Sequence, residues 1–163
     1  MAKLALVRVD YRLVHGQIAV TWVKSTNADQ VVILNDEAAG DKLQINLMKM
    51  SVGASTKLKV YKLEQGVEKW KDNKFGKGTA LLIFRTVEDA KKAYDLGLKY
   101  KKLNVGQVPY VEGRRHAVGT MCLSDDEMAM LTELHDEGVN VYNHQTLSDA
   151  NYSYEDILKS MQQ

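Results

Sequence analysis

The chain contains almost no cysteine and almost no proline. Cys122 is its only cysteine and Pro109 its only proline among 163 residues. A lone cysteine cannot form a disulfide within the chain, and such scarcity is typical of proteins from a reducing compartment. The length suits one domain with a substantial core, so we expect the burial of apolar side chains to stabilise the fold without covalent cross-links.

Two further absences concern membranes and nucleic acids. No apolar run approaches the roughly 20 residues that a transmembrane helix needs, and no signal peptide is visible at the N-terminus. The 22 basic and 21 acidic residues leave a net charge of +1, which provides no bulk attraction to nucleic acid or to a membrane. These features predict a cytoplasmic globular protein without a nucleic-acid partner.

The common nucleotide-binding and metal-binding motifs are missing as well. Neither Gly-x-x-x-x-Gly-Lys-Ser/Thr nor Gly-x-Gly-x-x-Gly follows the first predicted strand. The segment Gly76-Lys77-Gly78-Thr79 is only superficially similar to a phosphate loop, because it precedes a predicted strand, and we interpret it as a turn. No spacing typical of metal ligands occurs. The sequence therefore implies neither a nucleotide nor a metal.

Apolar strand-like runs alternate with helix-like segments along the chain. The predicted strands are Leu4–Val9, Gln30–Leu34, Leu58–Leu63, Thr79–Phe84, Lys102–Val105, Ala117–Met121 and Val139–Tyr142. The predicted helices are Gln17–Ser25, Ala38–Val52, Val67–Asp72, Val87–Leu96, Asp125–Glu137 and Tyr154–Met161. This alternation indicates an α/β fold with a mainly parallel, open β-sheet of about seven strands and helices on both faces. Because no repeat or linker interrupts the pattern, we expect residues 1–163 to form a single domain.

Local signals support several of the helix boundaries. Thr86 can cap the helix that follows it, and Ser124 with Glu127 three residues later has the pattern of a capping box. Gly97 and Gly138 follow the ends of two helices, where glycine readily adopts the left-handed conformation.

His15 is the most informative residue of the chain because of its surroundings, Arg8-Val9-Asp10-Tyr11-Arg12-Leu13-Val14-His15-Gly16-Gln17. The first predicted strand ends just before this loop, and the first predicted helix begins just after it. Free backbone N–H groups and the positive end of the helix dipole favour an anion at such a helix entrance. A histidine in this position can carry a phosphoryl group.

The residues around His15 suit that chemistry. A neutral imidazole nitrogen is a good nucleophile near neutral pH, and its bond to phosphorus is labile, so the group can be passed on. Arg12 can present a planar fork of donors to the phosphoryl oxygens, and the N–H groups of Gly16 and Gln17 can add backbone donors. Asp10 can hold one imidazole N–H, and so fix which nitrogen attacks, or hold Arg12 in place.

Two other segments are expected near the same crevice. Ligands of open parallel sheets bind beyond the carboxyl ends of the strands. Asp36 follows the second predicted strand, and Arg85 and Thr86 follow the fourth. If the first strand is central, these residues line the crevice beside His15.

Other interpretations of the histidines stay open at this point. His15 can be an ordinary surface residue, or it can bind a metal with Asp10 and Asp36. His116 follows Arg114-Arg115 in the long loop Gly106–His116, whose charge makes it a candidate docking surface for a partner. The other candidates, His135, His144 and Cys122, are expected to be structural or exposed.

The His15 segment resembles the opening of the IIB components of the bacterial sugar phosphotransferase system, in the mannose/fructose/sorbose family. The Asp-x-Arg-Leu-x-His-Gly-Gln pattern is specific, and the resemblance extends over nearly the whole chain in order and length. Further segments that carry it, less sharply, are Trp22, Asn35-Asp36-Glu37, Phe84-Arg85-Thr86 and Leu103-Asn104-Val105-Gly106.

The resemblance implies a single α/β domain with a mainly parallel, seven-stranded sheet. It also implies that His15 takes a phosphoryl group at Nδ1 from a phosphohistidine of a IIA protein and passes it to a sugar. The membrane components IIC and IID would bind that sugar, with this chain in the cytoplasm at the membrane permease. Arg12 would bind the phosphoryl oxygens with support from Asp10, no cofactor would be needed, and a homodimer is one expected state.

Two other functions remain as alternatives. A histidine phosphatase often has Arg-His-Gly at the equivalent turn, whereas Val14 precedes His15 here. A non-catalytic ligand-binding or regulatory domain can share the same architecture, because fold alone does not determine function. The sequence does not identify the sugar.

Overall fold

Seven strands form one sheet in the computed structural model, which describes residues 2–163. These strands are β1 (Lys3–Asp10), β2 (Gln30–Leu34), β3 (Lys57–Tyr61), β4 (Thr79–Phe84), β5 (Lys102–Gln107), β8 (Asn140–His144) and β9 (Asn151–Ser153). Their order is β3-β2-β4-β1-β5-β8-β9, and every pair is parallel except β8 with β9. The predicted α/β fold is thereby confirmed.

Helices cover both faces of this sheet. They are α1 (Gly16–Ile18), α2 (Lys24–Thr26), α3 (Asp36–Ala39), α4 (Lys42–Val52), α5 (Leu63–Asn73), α6 (Val87–Asp95), α7 (Asp125–Asp136) and α8 (Tyr154–Met161). A π-helical turn over Ala19–Val23 joins α1 to α2, so residues 16–26 form one continuous first helix. Within residues 2–163, no helix is both long and apolar enough to cross a bilayer.

The sheet separates two apolar layers. In β2 every residue is buried, with Val31 and Ile33 in one layer and Val32 and Leu34 in the other. The first layer packs on the first helix and α4, and the second packs on α5, α6, α7 and α8. Burial on both faces explains why β2 has a continuous apolar run and no alternating pattern.

One predicted strand is wrong. The segment Ala117–Met121 does not join the main sheet, because Gly119 adopts a φ of +52° and turns the chain back. The apolar residues on either side of this turn belong to a separate antiparallel hairpin of β6 (Arg115–Val118) and β7 (Met121–Leu123). The seventh strand of the main sheet is β9, which is polar and therefore gave no apolar strand signal.

Other boundaries differ because of local capping. The predicted helix Ala38–Val52 is divided into α3 and α4, since Asp41 Oδ1 accepts a hydrogen bond from Gln44 N at 3.0 Å and starts a new helix. Leu63 begins α5 and does not end β3, so this helix starts earlier than Val67. The first helix begins at Gly16, one residue before the predicted start.

The predicted helix caps are confirmed. Thr86 Oγ1 accepts from Asp89 N at 3.0 Å at the start of α6. Ser124 and Glu127 form the reciprocal capping box of α7. Both predicted terminating glycines have positive φ, 118° at Gly97 and 100° at Gly138.

We predict that Gly66→Ala destabilises the fold. Gly66 packs α5 against β2, and a Cβ at this position would lie 2.0 Å from Leu34 Cδ2 and 2.9 Å from Leu34 Cδ1. Leu34 is fully buried and has little room to move, so overpacking should cost about 1–3 kcal/mol and outweigh the helix propensity of alanine. Urea unfolding of Gly66→Ala and of Gly40→Ala, whose Cβ would make only ordinary contacts, measures the difference. Equal stability of the two variants would contradict the packing argument.

Candidate active site

The loop between β1 and the first helix lies at the carboxyl end of the central strand. β1 is flanked by β4 and β5, and the β5 residue Gln107 is the sheet partner of Asp10. Backbone hydrogen bonding continues one residue further, where Tyr11 N donates to Gln107 O at 3.1 Å. The loop therefore occupies the edge of the sheet at which open α/β folds bind their ligands.

A tight turn shapes the start of this loop. Leu13 N donates to Asp10 O at 2.9 Å, and Arg12 N donates to Asp10 Oδ1 at 3.0 Å. Leu13 has a φ of +56°, a conformation that a bulky residue rarely adopts. Its side chain is fully buried in the core, and this burial holds the backbone in the strained turn. Arg12 and His15 stay partly exposed on either side of the turn.

His15 is the residue directly before the first helix. Its backbone is extended, and its side chain does not cap the helix. The first intrahelical bond joins Ala19 N to His15 O, which leaves the preceding N–H groups without a helical acceptor. A Cβ added to Gly16 would meet no atom within 4 Å. The helix entrance therefore has both free donors and open space beside it, as predicted for an anion site.

Asp10 joins the imidazole to two arginines. Its side chain is 0% exposed, and Oδ2 lies 3.4 Å from His15 Nε2 and 3.4 Å from Arg8 Nη2. His15 itself is 20% exposed, so the ring borders solvent while one of its nitrogens faces a buried carboxylate. Arg12 Nε lies 3.8 Å from Asp10 Oδ1. The structure thus brings the predicted residues Asp10, Arg12 and His15 together.

Arg8 is a site residue that the sequence interpretation did not assign. It is 1% exposed, and burial lowers the pKa of its guanidinium, an effect that Asp10 opposes. Arg8 Nη1 donates to His144 O at 3.0 Å, and Nη2 donates to Gln145 Oε1 at 3.3 Å. An arginine among the apolar residues of a central strand was the available signal, because such a charge needs a buried partner.

Gly106 provides the space for Arg8. A Cβ at Gly106 would lie 2.1 Å from Arg8 Cζ and 2.3 Å from Nη2. The Trp22 ring centroid is 5.9 Å from Arg8 Cζ. The buried guanidinium therefore packs against the Gly106 backbone and over the Trp22 ring, and both residues belong to segments that carry the family resemblance.

The three residues predicted to line the crevice have different positions. Arg85 Nη1 donates to Tyr11 O at 2.8 Å, so Arg85 contacts the site loop. Asp36 Oδ1 accepts from Leu63 N at 2.9 Å at the start of α5, and Thr86 caps α6. Among the described residues, no hydrogen bond or ion pair connects Asp36 or Thr86 to His15.

Gln17 is exposed on the first turn of the first helix and lines a shallow groove with Thr21 and Ser148. A metal site of His15, Asp10 and Asp36 receives no support, because residues 2–163 contain no cluster of three or more histidine, cysteine or acidic side chains placed to hold a metal.

The basic loop after β5 has its arginines paired within the chain. Arg114 forms two bonds with Glu127, of 2.8 and 2.9 Å, and Arg115 lies 2.7 Å from Asp125. His116 Nε2 lies 2.9 Å from Gly119 O. These contacts brace the hairpin against α7 and reduce the free charge that suggested a docking surface.

The remaining histidines have packing roles. The His135 ring stacks on Tyr154 with centroids 3.8 Å apart, and the His144 ring meets Trp22 edge-on at 5.5 Å.

Comparison with known protein families shows to which family this chain belongs. The family model described as "PTS system sorbose subfamily IIB component" matches residues 4–163. The chain belongs to this family. It is thus a IIB component of the sorbose type in the sugar phosphotransferase system, and the resemblance seen in the His15 segment is confirmed.

Individual relatives agree with this assignment over most of their length. The chain is 25% identical to the fructose-specific EIIB component of Bacillus subtilis over 161 residues, 99% of each chain. It is 30% identical to N-acetylgalactosamine-specific phosphotransferase enzyme IIB component 1 of Escherichia coli, covering 85% of this chain and 88% of that protein. The structure of manxB from Thermoanaerobacter tengcongensis superposes with a TM-score of 0.90 at 28% identity, covering 98% and 96% of the two chains.

We predict that Arg8→Met destabilises this IIB component strongly. The substitution leaves the buried Asp10 carboxylate without its guanidinium, at an expected cost of about 3–5 kcal/mol. Adding Asp10→Asn should recover part of the loss, because the uncompensated charge is then removed. Lys92→Met, which breaks an exposed pair with Glu64, is the matched control and should cost less than about 1 kcal/mol. Urea unfolding of the unaltered chain and of these three variants measures the losses of stability. If Arg8→Met loses no more stability than Lys92→Met, a structural role of the Arg8–Asp10 pair is contradicted.

Proposed function

We propose that His15 is the phosphoryl carrier of this IIB component. In this proposal His15 takes the group from a phosphohistidine of a IIA protein and passes it to a sugar held by the membrane components IIC and IID. The observation that carries the proposal is the position of one imidazole between a buried carboxylate and a helix entrance, with Arg12 adjacent. The chain would act in the cytoplasm at the membrane permease.

The contact with Asp10 selects the attacking nitrogen. A carboxylate only accepts hydrogen bonds, so the proton of a neutral imidazole belongs on Nε2, which lies 3.4 Å from Asp10 Oδ2. The lone pair is then on Nδ1. This tautomer supports Nδ1 as the nucleophile, which is the atom that the family resemblance implies.

The first transfer is a displacement at phosphorus. Nδ1 of His15 forms a bond to phosphorus while the bond to the donor imidazole breaks, and the donor nitrogen keeps the electron pair of that bond. The product on His15 keeps its Nε2 proton and is an imidazolium, whose positive charge Asp10 offsets. Transfers of this kind depend on positioning and charge stabilisation more than on covalent help from the protein.

The charge of the site suits the incoming group. Two arginines against one carboxylate leave a net positive charge beside His15, and a phosphorylated side chain carries about −1.5 to −2. Arg12 can bind two phosphoryl oxygens at once, and the N–H groups of Gly16 and Gln17 face the same helix entrance.

In the second transfer a sugar hydroxyl attacks the same phosphorus, the bond to Nδ1 breaks, and the hydroxyl proton leaves to solvent or a base of the partner. His15 returns to its neutral form. The energy is already stored in the donor bond, so the proposal needs no cofactor.

We predict that His15→Asn abolishes phosphorylation and preserves the fold. Asparagine keeps a polar group at this position but provides no nucleophilic nitrogen. The measurement is incubation with a phosphorylated IIA donor followed by mass spectrometry of the peptide that contains residue 15, where an acid-labile, alkali-stable modification is expected in the unaltered chain. His116→Asn should be phosphorylated normally.

Phosphorylation of His15→Asn at the normal rate would refute the assignment. Rapid release of free phosphate from a small phosphoester would favour the phosphatase alternative, and sugar binding without any labelling would favour a binding domain.

We also predict that Arg12→Gln slows phosphoryl transfer. Each lost charge-assisted hydrogen bond is worth about 1.5–3 kcal/mol, which corresponds to a rate loss of about tenfold to 150-fold. The transfer rate of Arg12→Lys should lie between those of the unaltered chain and Arg12→Gln, because lysine keeps the charge but lacks the planar fork of donors. Rapid-quench kinetics with the phosphorylated donor measure these rates, and Arg115→Gln is the control. A rate unchanged in Arg12→Gln would exclude this residue from the site.

A further inference from the structure

Two glutamine side chains connect the arginines of the site. Gln107 Oε1 accepts hydrogen bonds from Arg12 Nη2 and from Gln145 Nε2, the latter at 3.2 Å. Gln145 Oε1 accepts from Arg8 Nη2 at 3.3 Å and from Thr120 Oγ1 at 2.8 Å. The polar network therefore continues from Arg12 through both amides to Arg8, and from there through Asp10 to His15.

The chemistry of the partners fixes the orientation of both amides. A guanidinium has only donors, so the amide oxygen of Gln107 has to face Arg12. Gln145 then presents its NH₂ group to that same oxygen, and its own oxygen faces Arg8. Rotating either amide by 180° would place N–H groups against a guanidinium. The two glutamines thus have one compatible arrangement.

Arg12 depends on this arrangement for its position. Its side chain is 34% exposed, its Nε lies 3.8 Å from Asp10 Oδ1, and Nε has no hydrogen-bond partner within the described residues. A free arginine side chain has many rotamers and loses this conformational entropy when it is held in one position. The bond from Nη2 to Gln107 reduces this freedom before any anion arrives. Arg12 Nε is buried towards Asp10, whereas Nη1 makes no hydrogen bond within the described residues and remains available for phosphoryl oxygens.

We propose that Gln107, oriented by Gln145, is a positioning residue that holds the Arg12 guanidinium beside His15 for phosphoryl transfer. The proposal rests on the function proposed above. Gln107 is well placed for this role because its backbone is part of the sheet and pairs with β1 and Tyr11, so the rigid scaffold determines where Arg12 is held.

The first test is a double-mutant cycle on the rate of His15 phosphorylation. Gln107→Ala should slow transfer by about tenfold, and Gln145→Ala by a smaller factor because it acts through Gln107. In an Arg12→Ala background the same substitutions should change the rate by less than about twofold, since the residue through which they act is gone. Gln65→Ala, an exposed glutamine on α5, should leave the rate unchanged. Effects of equal size with and without Arg12 would overturn the proposal.

The second test does not depend on phosphoryl transfer. NMR relaxation of the Arg12 Nε–Hε group in the unphosphorylated protein should show lower order in Gln107→Ala and Gln145→Ala than in the unaltered chain and in Gln65→Ala. Unchanged order in both variants would overturn the positioning role. If His15 of the unaltered chain is never phosphorylated but Arg12 still loses order in Gln107→Ala and Gln145→Ala, the proposed function fails. The role of the two glutamines in holding Arg12 then still stands.

Discussion

The buried ion pair between Arg8 and Asp10 is the interaction on which the geometry of this site depends. Removing two charges from water is costly, and their attraction alone does not reliably repay that cost. The surrounding groups compensate through hydrogen bonds from Arg8 to His144 O and from the Arg12 backbone to Asp10. Through Asp10 the pair gives the His15 imidazole an acceptor whose position is fixed by the central strand.

The position of this pair also explains why the site has a rigid support in the sheet and an open surface at the helix entrance. Asp10 belongs to the central strand, whereas His15 lies at a helix entrance whose first donors have no partner within the helix. A charged acceptor is thus fixed in the sheet, and the anion position is left to solvent. Such a division suits the proposed role of His15 as a phosphoryl carrier, because the surrounding groups are positioned in advance while access from solvent stays free.

The sequence predicts the fold, and the proximity of Asp10, Arg12 and His15, better than it predicts the contacts that surround them. Apolar runs and caps located most elements, since those signals are local, and the His15 loop was recognised from its own residues. The apolar residues of Ala117–Met121 predict one strand where the structure has the hairpin of β6 and β7, because the sequence does not reveal the positive φ of Gly119. The sequence does not predict the contacts of Gln107 and Gln145, because these contacts come from the pairing of β5 with β1 and β8, a long-range arrangement that no local pattern encodes.

The π-helical turn at Ala19–Val23 has a consequence for how this chain tolerates insertions and deletions. A π-turn contains one residue more than a regular α-helical turn, and each residue of an α-helix rotates the following side chains by about 100°. Deleting a single residue here would restore regular hydrogen bonding but would rotate Trp22 away from Arg8 and Gln145 O. Such a length change would therefore remove the indole ring that packs over the buried Arg8 guanidinium.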